Sequence, residues 1–152
     1  MKKTFYLGEL FCGPGGIGYG AKLANIKTHN KLFNIKHSWA SDYDKDSCET
    51  YKHNISNKNI FCYSVEEFFN LVNKKKIIIP KFNAFAYGFP CNDFSNVGEK
   101  KGIKGNFGPL YSYGVEILNR YEPDWFLAEN VSGMSSSNEG NTFKKILSDL
   151  KN

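Results

Sequence analysis

Residues 88–95 read GFPCNDFS, a thiol at Cys91 set behind a Gly-Phe-Pro turn and ahead of three polar side chains in four positions. Polar loop groups and nearby helix donors can hold sulfur as a thiolate, the form in which cysteine attacks carbon. Pro90 fixes the backbone just before it. A buried, inert thiol is the blander reading. Further on, WFLAENV ends an apolar run in Glu129, where a carboxylate partly removed from water has a raised pKa and can hold a proton for a ring nitrogen. Its bland counterpart is a hydrogen-bonded structural acid. In FCGPGGIG, residues Gly13, Gly15 and Gly16 let the backbone turn sharply and approach a ligand, while the helix behind offers backbone donors. Asp42 follows at the end of a second strand, where an acid can accept both ribose hydroxyls of a nucleoside cofactor, or simply cap a helix.

The elements that must carry these groups follow from periodicity and turn residues. Residues 4–11 predict a strand, the glycine cluster a turn, and AKLANI a helix. HSWASDYD predicts a second strand ending in acids, SCETYKHN a helix, and NIFCY a third strand. SVEEFFNLV opens with Ser64 and has Glu67 three residues on, a capping box. Residues 83–87 predict a fourth strand that delivers the chain into GFPC. A Gly- and Lys-rich loop then leads to a helix carrying Leu110, Val115, Ile117 and Leu118. Residues 124–131 predict a fifth strand, and Phe143, Ile146, Leu147 and Leu150 mark a last helix. Alternating strands and helices imply an α/β fold with a doubly wound, mostly parallel sheet. Ligands bind beyond the strand C-termini of such sheets, so all four motifs are expected to face one crevice.

Composition bounds the rest. The 152 residues suit one globular domain, and 41% hydrophobic with 16% aromatic residues excludes a disordered chain. The net charge of +5 suits a polyanionic partner as well as mere solubility. Arg120 is the only arginine, so base reading by bidentate forks must come from elsewhere. Cys12, Cys48, Cys62 and Cys91 form no CxxC pair, which points to reduced thiols, no metal site and a cytoplasmic protein. No apolar stretch nears the roughly 20 residues that cross a bilayer.

Taken in order, ELFCGPGG, ASDYD, GFPCNDFS and FLAENV resemble the DNA (cytosine-5)-methyltransferase family across almost the whole chain. The resemblance implies a Rossmann-like methyltransferase fold that binds S-adenosylmethionine. Phe11, Gly13, Pro14, Gly15 and Gly16 would line the cofactor, with Asp42 on the ribose, Tyr43 against the adenine, and Ser64 and Pro90 at its edges. It implies Cys91 as the nucleophile toward carbon 6 of a flipped-out cytosine in double-stranded DNA, and Glu129 as the acid at ring nitrogen 3 and the exocyclic amine. Asn92, Ser95, Lys100, Lys101 and Lys104 would lie on the DNA side. A restriction-modification setting follows from the same likeness.

The chain departs from that family pattern at several points. Asn92 stands where Gln is usual, and Ser64 or Tyr63 stands where an acid is usual. The family continues past this point into a target-recognition region and further motifs, so the expectation is the N-terminal part of a catalytic domain. That part would be inactive alone, completed by a missing half or a second subunit, and prone to self-association at an uncovered strand. Competing readings are a tRNA cytosine-5 methyltransferase, a non-catalytic cofactor- or nucleic-acid-binding remnant and, last, a dinucleotide-dependent oxidoreductase.

Overall fold

A computed structural model describes residues 1–28, 30–89, 110–131 and 141–150. The elements are β1 (Lys2–Leu10), α1 (Gly16–Leu23), β2 (Asn25–Thr28), β3 (Lys31–Asp42), α2 (Lys45–Asn54), β4 (Ile60–Cys62), α3 (Val65–Asn73), β5 (Ala84–Gly88), α4 (Tyr111–Tyr121), β6 (Trp125–Glu129) and α5 (Asn141–Asp149). The chain forms two compact units, Met1–Tyr87 with Pro123–Leu127, and Gly88–Glu122 with Ala128–Asn152.

In the first unit the strands run β2-β3-β1-β5-β6, with β4 also on β3. β1 pairs parallel with β3 and β5, and β3 parallel with β4. The chain therefore leaves the central β1 on one side, for β3 and β4, and returns on its other side as β5, which makes the end of β1 the topological switch point. β5 alternates. Ala84 and Ala86 join Leu7 under Ile17 and Ala21 of α1, and their small side chains let that helix come close. Phe85 faces the other way and stacks on Trp39, which stacks in turn on Phe68 of α3. Helices thus cover both faces, as the alternation of strands and helices predicts.

Two differences from the sequence-based expectation have physical causes. The helix expected over AKLANI instead begins at Gly16, inside the glycine cluster, and ends at Leu23. Residues 25–28 then form β2, an antiparallel partner of residues 31–34 of β3. That hairpin is largely exposed, so it carries no apolar alternation to announce it. The register of β1 on β3 also shifts between Leu7 and Gly8, placing Gly8 opposite Trp39. A Cβ on Gly8 would overlap the Trp39 indole, so the glycine is what admits the ring. Asn59 donates its side-chain amide to the carbonyl of Ser38 at the shift, 2.9 Å away.

The second unit is held by its own contacts. Tyr111 of α4 donates its hydroxyl to Asp149 of α5 at 2.7 Å, Ile117 and Ile146 are buried, and the Phe89 ring lies 6.2 Å from that of Tyr111. No helix among the described residues is long and apolar enough to cross a membrane.

Candidate functional site

The glycine turn leaves β1 in an unusual conformation. Phe11, Gly13 and Gly15 all take positive φ, at 55°, 51° and 98°. Phe11 is the costly one, since left-handed backbone is disfavoured for a side chain of its size. Cys12 donates its N–H to the Ser41 carbonyl at 3.1 Å, which extends the β1–β3 pairing into the turn. The carboxylate of Asp42 then accepts the Gly13 N–H at 2.7 Å with one oxygen and the Asp44 N–H at 3.0 Å with the other. Asp42 therefore pins the turn to the entry of α2, a task its sequence position does not announce. Each oxygen of a carboxylate has room for a second donor, so the acid can still accept hydroxyl groups.

The glycines divide into two sets. Cβ atoms built on Gly13 and Gly16 meet nothing within 4 Å, so both face open space. On Gly15 the Cβ would run into Ile55 and come 2.8 Å from the Tyr51 ring, and on Gly18 it would lie 2.5 Å from the Glu9 carboxylate and 2.6 Å from the Tyr51 hydroxyl. Gly13 and Gly16 are thus open to a ligand, whereas Gly15 and Gly18 exist so that α1 can seat on α2. Helix α1 has no side-chain cap at its N-terminus, which leaves first-turn backbone donors for an incoming group. Tyr43, beside Asp42, is 74% exposed. Tyr63 donates its N–H to the Asp42 carbonyl, and Ser64 next to it caps α3 by accepting the Glu67 N–H at 3.2 Å, as its capping box predicts.

Sequence reasoning passed over Glu9. It is 2% exposed, near the end of β1, and accepts hydrogen bonds from the Tyr51 hydroxyl and the Gly18 N–H. Burial pushes its carboxyl up to about 7, against the pull of those two donors. The signal was available as a lone acid inside the apolar run TFYLGELF. Two of the thiols in this unit are poor nucleophiles. Burial and the nearby carboxylates of Asp42 and Glu9 push Cys12 well above the usual thiol range, and burial together with Cys62 pushes Cys48 up to about 12.

In the second unit the two remaining motifs meet. Asn130 donates its side-chain amide to the Phe89 carbonyl at 3.0 Å and accepts the Val131 N–H at 2.8 Å. A Cβ on Gly88 would lie 3.2 Å from Glu129 Oε2, so the glycine makes room for that carboxylate. Glu129 itself is exposed, which corrects the expectation of a carboxylate partly removed from water. It closes β6, whose side chains remain largely uncovered among the described residues. Pro90, Cys91, Asn92, Ser95, Lys100, Lys101 and Lys104 lie outside the described residues.

The profile of the C-5 cytosine-specific DNA methylase family matches residues 5–152. The chain belongs to that family. Among its methylase relatives, the Type II methyltransferase M.BbvI of Brevibacillus brevis is 49% identical over 154 residues, covering 96% of this chain and 40% of that protein. The Type II methyltransferase M.NgoFVII of Neisseria gonorrhoeae is 31% identical, covering 95% of this chain and 35% of that one. The chain therefore spans well under half the length of either. The crystal structure of the Dnmt2 methyltransferase of S. pombe shares the fold at a TM-score of 0.62 and 20% identity, covering 97% of this chain and 41% of that one.

The division of the glycines has a direct check. Gly15→Ala forces a side chain into left-handed backbone and into Tyr51, and should lower stability by about 1–3 kcal/mol in urea unfolding. Gly16→Ala should stay within about 0.5 kcal/mol of the parent. Equal losses for both would refute the two-set reading.

Proposed function

We propose that this chain is the cofactor-binding and nucleophile-bearing part of a cytoplasmic DNA (cytosine-5)-methyltransferase of a restriction-modification system, with S-adenosylmethionine as methyl donor. The observation that carries this reading is the join between ENV and GFP. Asn130 fixes the carbonyl of Phe89, two residues before Cys91, while Glu129 occupies the space that Gly88 leaves free. The family likeness assigns a nucleophilic thiol to Cys91 and an acid to Glu129, the pair that addition to a pyrimidine needs.

A nucleoside cofactor fits the first unit. Phe11, Gly13, Pro14 and Gly16 line the open side of the turn. Asp42 keeps acceptor capacity for ribose hydroxyls, the exposed Tyr43 ring suits stacking on a purine, and Ser64 stands beside Asp42's neighbour Tyr63. Gly15 supports the turn from behind, and the family likeness alone assigns Pro90 to the cofactor. Bound S-adenosylmethionine would supply a methyl group on a sulfonium.

Cytosine carbon 5 is a weak nucleophile until the ring's conjugation is broken. Cys91 thiolate forms a bond to carbon 6, Glu129 supplies a proton to ring nitrogen 3, and the displaced electron pair makes carbon 5 nucleophilic. After methylation a base removes the carbon 5 proton, the returning pair expels the thiolate, and nitrogen 3 gives its proton back to the Glu129 carboxylate, which restores the ring and the acid. Neither ring atom is reachable in a duplex, so the base is flipped out first. The same likeness assigns Asn92 and Ser95 to contacts with DNA, and Lys100, Lys101 and Lys104 to neutralising phosphates.

Three measurements test this. Incubating the protein with cofactor and 5-fluorocytosine DNA should trap a covalent adduct that Cys91→Ser abolishes and Glu129→Gln slows at least about 100-fold; trapping that persists in Cys91→Ser would end the proposal, and trapping on tRNA but not DNA would redirect it. Replacing Lys100, Lys101 and Lys104 with Ala should flatten the dependence of log affinity on log salt by about 0.9 per lysine, an unchanged slope removing them from the interface. The third concerns β6, the last strand in the order, where Phe126 and Leu127 are 41% and 46% exposed. The 152-residue chain alone should lack turnover and self-associate in light scattering, and Phe126→Asp should reduce that association. A monomer with full turnover contradicts this.

A further inference from the structure

Behind the glycine turn, three buried or half-buried polar side chains form a continuous line. His37 Nε2 lies 2.7 Å from the Lys58 carbonyl, which can only accept, so that nitrogen carries hydrogen. His37 Nδ1 lies 3.1 Å from the Tyr51 hydroxyl, and the Tyr51 hydroxyl bonds Glu9 Oε2. Glu9 also takes the N–H of Gly18, and Tyr51 packs against both Gly15 and Gly18. The line therefore ends directly under α1.

Counting donors fixes how many protons the line can hold. With Glu9 protonated and His37 neutral, the carboxyl donates to Tyr51, Tyr51 donates to His37 Nδ1, and His37 donates to Lys58. Every donor then has an acceptor. Moving that one proton to the imidazole reverses both inner bonds and satisfies every group again. Take the proton away, and the lone pairs of His37 Nδ1 and Tyr51 face each other once Tyr51 has turned toward the carboxylate. Add another, and both neighbours donate to Tyr51, whose own hydrogen is stranded. A buried donor or contact left unmatched costs far more than an ordinary hydrogen bond contributes.

We propose that Glu9, Tyr51 and His37 are positioning residues for the glycine turn, forming a hydrogen-bonded chain that is complete with one shared proton, and that the seat of α1 and the turn's grip on its ligand depend on that proton. The ligand half of this rests on the cofactor reading above. Burial raises Glu9 to about 7 and lowers His37, so the shared proton sits on the carboxyl in the neutral arrangement and leaves as pH rises through neutrality. The groups around it add little competing charge. Glu9's strand partners are Ala40 and Ala86, α1 meets it at Gly18, and α2 meets it at Tyr51. Cys12 in the turn and Asp42 at the end of β3 are the remaining titratable neighbours, and Cys12 stays protonated.

The decisive experiment is a nuclear magnetic resonance titration of the cofactor-free 152-residue chain from pH 5.5 to 8.5. The Glu9 carboxyl, the His37 ring nitrogens and the amides of Gly13 and Gly16 should move together in one step near neutrality. In Glu9→Gln, whose amide donates to Tyr51 as the protonated carboxyl does, that step should vanish with the amides left at their low-pH positions. Glu9 ionising in the ordinary carboxylate range, or moving without the glycine amides, would overturn the proposal. Calorimetry with S-adenosylmethionine supplies the second readout. Wild-type affinity should fall by about tenfold per pH unit above the step, Glu9→Gln should bind tightly at every pH, and Tyr51→Phe weakly at every pH. A titration step without any change in wild-type affinity refutes the positioning role. Absence of binding at any pH sinks the cofactor reading instead, and the titration still decides the proton chain.

Discussion

The carboxylate of Asp42 is the constraint on which the first unit's binding surface depends. Its two oxygens hold two backbone segments that the sheet alone would leave apart, the glycine turn through Gly13 and the entry of α2 through Asp44. Hydrogen bonds to an ionised acceptor contribute roughly 1.5–3 kcal/mol each, enough to offset much of the strain of a left-handed Phe11. An acid at the end of β3 is thus needed by the fold before any ligand arrives. Both carboxylate oxygens are thus part of the turn's architecture whatever ligand the turn takes.

The helix that follows the turn depends on an absence of side chains. α1 approaches α2 closely because Gly15 and Gly18 present no Cβ to Tyr51, Ile55 and Glu9, and it approaches the sheet closely because β5 offers Ala84 and Ala86 on that face. On the opposite face the same strand offers Phe85, which joins Trp39 and Phe68 in a stack. One strand therefore serves two faces differently, with small side chains under α1 and an aromatic ring toward α3. Aromatic pairs of this kind contribute about 0.5–1.5 kcal/mol each beyond the area they bury.

Much of this was legible in the residues. The bonds of Asp42 to Gly13 and Asp44 were not readable, whereas the strand and the glycine turn were, because each rests on local rules, apolar runs and clustered glycines. The capping box at Ser64 was readable for the same reason, and the observed Ser64–Glu67 bond matches it. The β2–β3 hairpin was not readable, since its exposed faces remove the alternation that betrays a strand. Gly18 and Glu9 were missed because their meaning is tertiary. Nothing near Gly18 in sequence says that a carboxyl and a phenol from two other elements occupy the space beside it. Glu129 shows the opposite error, for an apolar run before it suggested shelter, yet β6 leaves Phe126 and Leu127 substantially exposed and the carboxylate with them.

That exposure bears on the chemistry. A carboxyl that must hold a proton at neutral pH needs water removed from around it. Glu129 has a fixed backbone, through the Asn130 bond to Phe89, and a space reserved by Gly88, but among the described residues it lacks a cover. Glu9 has the cover and correspondingly a carboxyl raised to about 7. The two acids show the same principle from opposite sides: position comes from backbone contacts, and proton affinity comes from desolvation. In the proposed reaction Glu129 would take that burial from the pyrimidine it engages, since the described residues supply none.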